Sequence, residues 1–516
     1  MDKFLNAVEK VNGVINSAVW GLPGLILLIG TGILLTVLTK CFQVSHVKHW
    51  WTKTIASVFK KDSSATKNTD KKTISQFQAL CAALAATVGT GNIAGVAAAI
   101  VLGGPGAVFW MWVAAFFGMM TNFSENVLGI YYRRRNADGE WIGGPMYYLT
   151  DGLGKRYKKK WLSPVSKALA ILFSCFAILA SFGIGNMAQI NKIVINMDAA
   201  FFKSASLGSI PGTEIDIIRL IIGVCLLVIG ALIIIGGLQR IAKFASVVVP
   251  FMAIAYIIGS LIIFSMNITS VGAMFAAIFK FAFTPAAFIG GGVGVLIKTT
   301  MTQGFKRGVF SNEAGLGSSV LVHSSSNVKE PVRQGMWGIF EVFFDTFVIC
   351  TMTAIVVLST GFINLQTGAP NAGIDGDTLV SQAFSKYFGA PGAWFIAIAM
   401  LFFAFTTVLG WSQYGSKAVE YLFGATGVKV YKVIFVLMIV SGAVMEGGLA
   451  WDLSDTFNGL MMIPNLIGVI SLFPLVMKIT KNYVDRKLGK KDIKPLLSYD
   501  ELIQEEMEGR LSEDDQ

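Results

Sequence analysis

Residues 85–95 form an uncharged run, AATVGTGNIAG, within a longer apolar segment, and they hold the groups best suited to bind a small polar ligand. Gly89 and Gly91 are expected to interrupt a helix there, because glycine weakens a helix interior. The half-helix that ends near Val88 would offer carbonyl oxygens to a cation. The half that begins near Asn92 would offer N–H groups and a positive dipole end to a carboxylate. A glycine kink that only allows close packing is the alternative.

Thr406 and Thr407 are adjacent hydroxyl residues in another apolar segment. Paired hydroxyls that face backbone carbonyls form an all-oxygen cage, which suits a hard monovalent cation that must also dissociate. The alternative is that each threonine donates to a carbonyl of its own helix. Gln189 is an amide within a third apolar segment, where polar groups either line a pathway or join helices.

Three ionisable residues, Lys298, Glu341 and Asp345, lie within apolar segments. Glu341 and Asp345 are four residues apart and therefore share one face of a helix. A buried ammonium requires a partner or water, so we expect Lys298 to pair with one of the two acids, with cation or proton coupling as the alternative role. His323, in a serine-rich stretch, is predicted to lie on a surface loop rather than in a hydrolase site.

The composition is typical of a polytopic all-α membrane protein, since 54% of the 516 residues are apolar and 14% are charged. The net charge of +11 comes from residues between apolar segments rather than on an amphipathic face, which argues against a nucleic-acid partner. Eleven transmembrane helices are predicted, at residues 18–38, 75–102, 107–131, 167–189, 217–238, 246–266, 286–303, 336–361, 393–411, 430–446 and 456–477.

The segments between these helices alternate between rich and poor in lysine and arginine. The positive-inside rule then predicts an amino terminus outside the cell and a carboxyl terminus in the cytoplasm. The seventh helix carries glycines at 290–294 and would run opposite to the second, so two sets of five helices would each begin with a broken helix, as in inverted-repeat transporters. The predicted regions are an extra helix (1–40), a basic linker (41–74), two five-helix repeats (75–267 and 268–478) and a charged tail (479–516).

Three blocks, at residues 87–95, 103–112 (GGPGAVFWMW) and 310–318 (FSNEAGLGS), resemble the alanine or glycine:cation symporter family, and shorter runs at 182–189, 345–346 and 406–411 are similar to it. The resemblance implies a LeuT-type core behind one extra helix. It also implies import of small neutral amino acids with Na⁺ through the cell membrane. It matches Asn92 and Gln189 to substrate contacts, and it matches Thr406 and Thr407 to a Na⁺ site completed by carbonyls of Ala85 and Val88.

We therefore expect an importer of alanine or glycine that is driven by Na⁺ symport, in an oligomeric state that the sequence does not predict. A glutamine:Na⁺ symporter, a H⁺-coupled amino-acid transporter using Lys298 or Asp345, and a membrane receptor on the same scaffold are the alternatives. An intramembrane enzyme would need an acid, base or nucleophile beside the breaks, where the sequence has glycine, threonine and amides. The candidate substrate-binding residues are Thr90, Gly91, Asn92, Phe182, Gln189, Gly291, Gly294 and Thr299.

Overall fold

The computed structural model describes residues 2–60, 63, 65–68, 70, 72–156, 161–202, 207–210, 215–284, 297–371, 373–374, 376, 378–445 and 449–511. Within these ranges the chain is mostly helical, with one two-stranded antiparallel sheet. Eight of its helices are long and apolar enough to cross a membrane, or nine if one sharply bent helix pair forms a single span. The protein therefore has the architecture of a multi-pass membrane protein.

The elements of the first half, in chain order, are α1 (Asp2–Val19), α2 (Leu22–Leu38), α3 (Phe42–Ser45), α4 (Val47–Lys53), α5 (Ile55–Val58), α6 (Gln76–Thr87), a π-helical turn (Gly91–Gly95), α7 (Val96–Gly103), α8 (Gly106–Tyr131), β1 (Arg134–Arg135), β2 (Trp141–Ile142), α9 (Pro145–Tyr147), a π-helix (Tyr148–Leu153), α10 (Gly154–Arg156), α11 (Leu162–Phe182), a π-helix (Gly183–Met187), α12 (Ala188–Met197), a π-helix (Asp198–Phe202), α13 (Ile217–Ile234) and α14 (Gly237–Met266).

The elements of the second half are a 3₁₀-helix (Ile268–Ser270), α15 (Val271–Phe283), α16 (Ile297–Asn312), α17 (Val320–His323), α18 (Pro331–Val342), a π-helix (Phe343–Cys350), α19 (Thr351–Ser359), α20 (Leu379–Phe388), α21 (Ala390–Val444), α22 (Leu449–Lys487) and α23 (Glu501–Gly509). The predicted ninth span lies in α21, and so does the predicted tenth as far as Val444, with residue 446 outside the described part of the chain. α21 is interrupted at Gly424 by a non-helical backbone (φ 69°, ψ −168°) that glycine can adopt without strain.

Most predicted spans coincide with helices, and the seventh differs most. Residues 285–296 lie outside the described part of the chain, and α16 continues to Asn312, nine residues beyond the predicted end at Gln303. The count of eleven, the 5+5 repeat, the regional division and the orientation of the termini remain predictions. The first 17 residues, for which no element was predicted, are mostly helical in α1, and Asn16 donates to the side chains of Asp455 (3.2 Å) and Thr456 (2.9 Å) at the start of α22.

The outer faces of α13 and α14 carry exposed large apolar side chains, among them Val228, Leu232, Val247 and Phe251. A contiguous apolar surface of this kind is unfavourable in water and suits the hydrocarbon of a bilayer. Inside the bundle, α6 packs against α14 and α21, and α7 packs against α8 and α16. Buried polar side chains such as Thr87, Asn92 and Gln189 lie on or beside this broken helix. Any polar site must therefore be sought around this broken helix.

Candidate functional site

The first break lies where α6 ends at Thr87, and the two halves of the span are bent by 55° at this point. Polar side chains close the break. The Oδ1 atom of Asn92 accepts a hydrogen bond from the backbone N–H of Gly89 (2.9 Å), and the N–H of Thr90 donates to Oε1 of Gln189 (3.2 Å). Backbone N–H groups that a helix break leaves unpaired in a membrane span need such partners. Thr90, Asn92 and Gln189, all predicted from the sequence, therefore lie together at the first break.

A second break follows α16. Glu313, Gly315 and Gly317 all have positive φ (55°, 95° and 73°), and the chain becomes helical again only in α17. The predicted break at 290–294, including Gly291 and Gly294, lies outside the described residues. A Cβ added to Gly91 would come within 3.1 Å of the Phe310 ring, so the two breaks face each other.

Sequence reasoning did not assign the second break to the site. The run 310–318 was recognised only as a family-like block, although its mixture of glycines with Ser311, Asn312 and Glu313 in an apolar protein is itself a signal for an interrupted helix. That signal is the same one that revealed the first break.

Asp345 joins the two breaks. It is fully buried in the π-helix Phe343–Cys350. Its Oδ1 accepts from Nδ2 of Asn92 (2.6 Å), and its Oδ2 accepts from the hydroxyls of Ser311 (2.8 Å) and Thr346 (2.9 Å). A buried carboxylate is stable only with several donors of this kind, and here the donors come from both broken helices.

The expected pairing of Lys298 with Glu341 or Asp345 is not formed, so this prediction was wrong. Lys298 is exposed in the first turn of α16 and borders a groove of about 1100 Å³ beside α2, whereas both acids are fully buried. Glu341 instead binds His323, whose Nε2 lies 2.9 Å from Oε2. His323 is completely buried, which corrects its prediction as a surface residue.

Thr299 and Phe182 were also predicted to contact substrate, but neither lines the cavity that lies between the breaks. Thr299 is exposed next to Lys298. Phe182 packs its ring against Tyr431 and Phe435, with centroids 5.2 and 6.1 Å apart.

A small cavity of about 10 Å³ lies between the two breaks, close to the volume of one water. It is lined by the end of α6, both breaks and three further spans (the π-helix Gly183–Met187 with α12, α21 and α22): Ala86, Thr87, Gly89, Gly91, Ile184, Gln189, Phe310, Glu313, Thr407, Trp411 and Asn458. Glu313, Phe310, Trp411 and Asn458 are members that the sequence reasoning missed. The cavity is closed around polar backbone on one side and a buried carboxylate on the other.

Thr407 faces the first break, since a Cβ on Gly89 would collide with its hydroxyl. Both threonines donate to carbonyls of their own helix, Thr407 to Phe403 (3.0 Å) and Thr406 to Phe402 (2.8 Å), which is the alternative raised from the sequence. A hydroxyl that donates its proton keeps its lone pairs for a cation, so the two roles are compatible. Ala85 and Val88 end α6, where the last carbonyls lack helical donors.

The fold resembles that of a solved transporter. The crystal structure of MhsT in complex with L-phenylalanine matches with a TM-score of 0.53 at 12% identity, over 78% of this chain and 90% of that chain. The similarity shows a LeuT-type fold in a multi-pass membrane protein.

The sequence comparisons define the family. The sequence model of the sodium:alanine symporter family matches residues 5–496. Sodium/alanine symporter AgcS of Methanococcus maripaludis is 42% identical over 479 residues, 93% of this chain and 98% of the relative. The probable sodium/glutamine symporter GlnT of Bacillus subtilis is 36% identical over 488 residues, 94% of this chain and 92% of the relative. The chain belongs to the sodium:alanine symporter family, which confirms the predicted family and a transporter rather than an enzyme.

Proposed function

We propose that the protein imports alanine or glycine across the cell membrane by symport with Na⁺. The observation that supports this most strongly is the small closed cavity between two broken helices. Helix ends of both signs meet at such a point, so a zwitterion can be bound without a large net fixed charge.

The carboxylate end of the substrate would bind at the first break. In the structure, Oε1 of Gln189 accepts a hydrogen bond from the N–H of Thr90, and Nε2 of the same amide donates to the carbonyl of Ile184 (3.0 Å). An amide oxygen at a backbone N–H occupies the position that a carboxylate oxygen would take. Substrate binding would therefore displace Gln189 from Thr90 and leave its amide free to donate to the ligand.

The ammonium end would face the second break. Glu313 lines the cavity and is almost fully buried, and its Oε2 accepts from the hydroxyl of Ser318 (2.5 Å). A buried carboxylate with few donors gains from a cationic partner, because an uncompensated buried charge is costly. The carbonyls at the end of α16 would contribute further acceptors.

The size of the cavity favours a small side chain. Ile184, Phe310 and Trp411 form its apolar wall. The indole of Trp411 cannot move away from the cavity toward Gly185, because the backbone of Gly185 already packs directly against it and an added Cβ there would collide with the ring. Expansion by a methyl group is therefore easier to accommodate than the longer amide of glutamine, which is the substrate named for the relative GlnT.

Na⁺ would be bound by the carbonyls of Ala85 and Val88 with the hydroxyl of Thr407, which faces Gly89. These neutral oxygens suit a monovalent cation. The hydroxyl of Thr406, the other ligand expected from the sequence, lies beside the sulfur of Met252 (3.9 Å) instead. Proton coupling through Asp345 is the second candidate, because this carboxylate is fully buried and is held by residues of both broken helices. Protonation of such a group would change the contact between the breaks.

Uptake of labelled amino acids into proteoliposomes tests the proposal. We expect alanine and glycine uptake that requires an inward Na⁺ gradient, with weaker competition by glutamine. Gln189→Met should abolish most of this uptake. Gln413→Met is the matched control, because Gln413 is a buried amide of α21 that does not line the cavity. Uptake driven by a pH gradient and indifferent to Na⁺ would contradict Na⁺ symport and favour Asp345.

A further inference from the structure

Arg133 is buried just beyond the end of α8, with 2% of its surface exposed. Its hydrogen-bond acceptors among the described residues are backbone carbonyls rather than a carboxylate. Nη1 donates to the carbonyl of Ser326 (2.8 Å) and more weakly to that of Ser324 (3.5 Å), and Nη2 donates to the carbonyl of Val328 (2.5 Å). A buried guanidinium is costly unless its donors are satisfied, so these contacts fix the backbone of residues 324–328, here called the strap.

The strap also holds the start of the first broken helix. The N–H of Ile74 donates to the carbonyl of Ser325 (3.3 Å), and the N–H of Asn327 donates to the carbonyl of Ile74 (2.8 Å). Ile74 directly precedes Ser75, which caps α6 in a capping box with Gln78. The strap itself follows α17, so it connects the second broken helix to the beginning of the first.

The two sets of strap contacts alternate along the chain. The carbonyls of residues 324, 326 and 328 meet Arg133, while residues 325 and 327 bond to Ile74. Ser324 and Ser325 form the turn that ends α17, and Ser326 then forms a parallel bridge with Ile74. Because the two sets of contacts fall on neighbouring residues of one short segment, restraining one set limits the movement of the other. The Arg133 contacts therefore present the strap in the orientation that Ile74 requires.

The contact between the strap and Ile74 lies at one end of the helix that leads to the cavity. α6 begins two residues after Ile74 and ends at Ala86 and Thr87, which line the cavity. α7 continues to Gly103 at the opposite end of the span. A transporter must open each end in turn, and opening this end requires α6 to leave the strap.

We propose that Arg133 is a positioning residue that keeps this end of the transport route closed by holding the strap against Ile74. The proposal rests on the transport function proposed above. Loss of the guanidinium would free the strap, weaken the Ile74 contacts and shift the population toward the state that is open on this side.

Arg135 provides a matched control. The Cζ atoms of Arg133 and Arg135 each lie 4.1 Å from the centre of the Trp141 ring, so both arginines stack on the same indole. The guanidinium of Arg135, however, pairs with Glu506 (2.8 Å) instead of the strap. A comparison of the two separates an effect on the strap from an effect on packing around Trp141.

Cysteine accessibility measures the opening directly. The five native cysteines would be replaced, and Thr87→Cys would report the cavity. Asp138→Cys, at the exposed turn between β1 and β2, would show which face of a sealed vesicle carries Arg133. Labelling by a membrane-impermeant maleimide needs no substrate, so its result is independent of whether alanine or Na⁺ is the true cargo.

Arg133→Met should accelerate labelling of Thr87→Cys by about tenfold from the face that labels Asp138→Cys, as expected for a shift of population toward the open state. Arg135→Met should change the rate by less than about twofold, and Arg133→Lys should restore closure in part, since an ammonium can still meet some of the carbonyls. Equal effects of Arg133→Met and Arg135→Met would overturn the proposal and assign the role to the Trp141 stack.

A second reporter detects general loosening. Thr300 is fully buried near the opposite end of the span, where its hydroxyl donates to the carbonyl of Gly103 (2.8 Å). Thr300→Cys should stay unlabelled when Arg133→Met opens the other end. Faster labelling at both reporters, or an unchanged rate at Thr87→Cys, would overturn the proposal.

Discussion

Thr407→Val should raise the Na⁺ concentration for half-maximal uptake while the protein remains folded. The hydroxyl of Thr407 lines the cavity, faces Gly89 and donates to the carbonyl of Phe403 (3.0 Å). Valine keeps the branched shape and removes only the oxygen. If that oxygen binds Na⁺, the cation loses one of its few ligands.

Two contributions determine the size of the effect. Loss of the bond to Phe403 should lower the free energy of unfolding by about 0.5 to 1.5 kcal/mol, the usual contribution of one hydrogen bond. Loss of a cation ligand should cost about 1.5 to 3 kcal/mol of Na⁺ affinity, as for a bond to a charged group. Since about 1.4 kcal/mol is tenfold, the half-maximal Na⁺ concentration should rise by about 10- to 150-fold.

Thr406→Val is the matched control within the same helix. Its hydroxyl bonds to the carbonyls of Phe402 (2.8 Å) and Phe403 (3.0 Å), but it lies beside the sulfur of Met252 (3.9 Å) instead of Gly89. Both variants should therefore lose similar stability, measured as the thermal midpoint in detergent. Initial rates of alanine uptake at varied Na⁺ and constant ionic strength should separate them, with the larger change in Thr407→Val.

Equal changes in the two variants would refute the inference that Thr407 alone faces the break. An unchanged Na⁺ response in a folded Thr407→Val protein would remove the cation from this position altogether.

Three further substitutions follow from the buried polar contacts. Asn92→Ala should lower the free energy of unfolding by about 2 to 4 kcal/mol, because it removes one neutral hydrogen bond with Gly89 and one to the carboxylate of Asp345. It should also weaken alanine binding, and an unchanged alanine Kd in folded protein would exclude Asn92 from the site. Lys298→Met should alter neither the thermal midpoint nor the Na⁺ response, because Lys298 is exposed; a changed ion dependence would restore a coupling role. His323→Asn should lower the thermal midpoint, and adding Glu341→Gln should recover part of the loss, because the acid no longer needs its imidazole donor.

The first break could be predicted from the sequence because its signal is local. Gly89 and Gly91 interrupt an apolar run that otherwise favours a helix, and Asn92 supplies a polar group in the same turn. Gln189 could be predicted as a polar contact of the site only because it is an amide surrounded in sequence by apolar residues of a membrane span. Its contact with Thr90, a residue 99 positions away, depends on the packing of two helices.

The ionisable residues could not be paired from spacing. Glu341 binds His323, 18 residues earlier, because the connection between α17 and α18 brings His323 beside Gln334 and Glu341 of α18. Lys298 was expected to be buried because its neighbours are apolar, but an apolar neighbourhood does not distinguish a lipid-facing surface from the interior of the bundle. The same ambiguity affected Thr299. The unusual backbone at Glu313 was missed because the helix before it continues nine residues past the predicted end.

Asn92 explains how a ligand at one break could act on the other. Its Oδ1 is fixed by Gly89, its Nδ2 by Asp345, and its backbone carbonyl accepts from the hydroxyl of Thr353 (2.7 Å). Asp345 in turn holds Ser311, two residues before the second break begins at Glu313. A bound cation or substrate carboxylate that moves the first break must therefore move Asn92, which is a hydrogen-bond donor to Asp345. Asp345 also accepts from Ser311 beside the second break, so the movement reaches that break as well. Because the carboxylate of Asp345 is buried, it cannot exchange a lost donor for water, so the two broken helices must rearrange together.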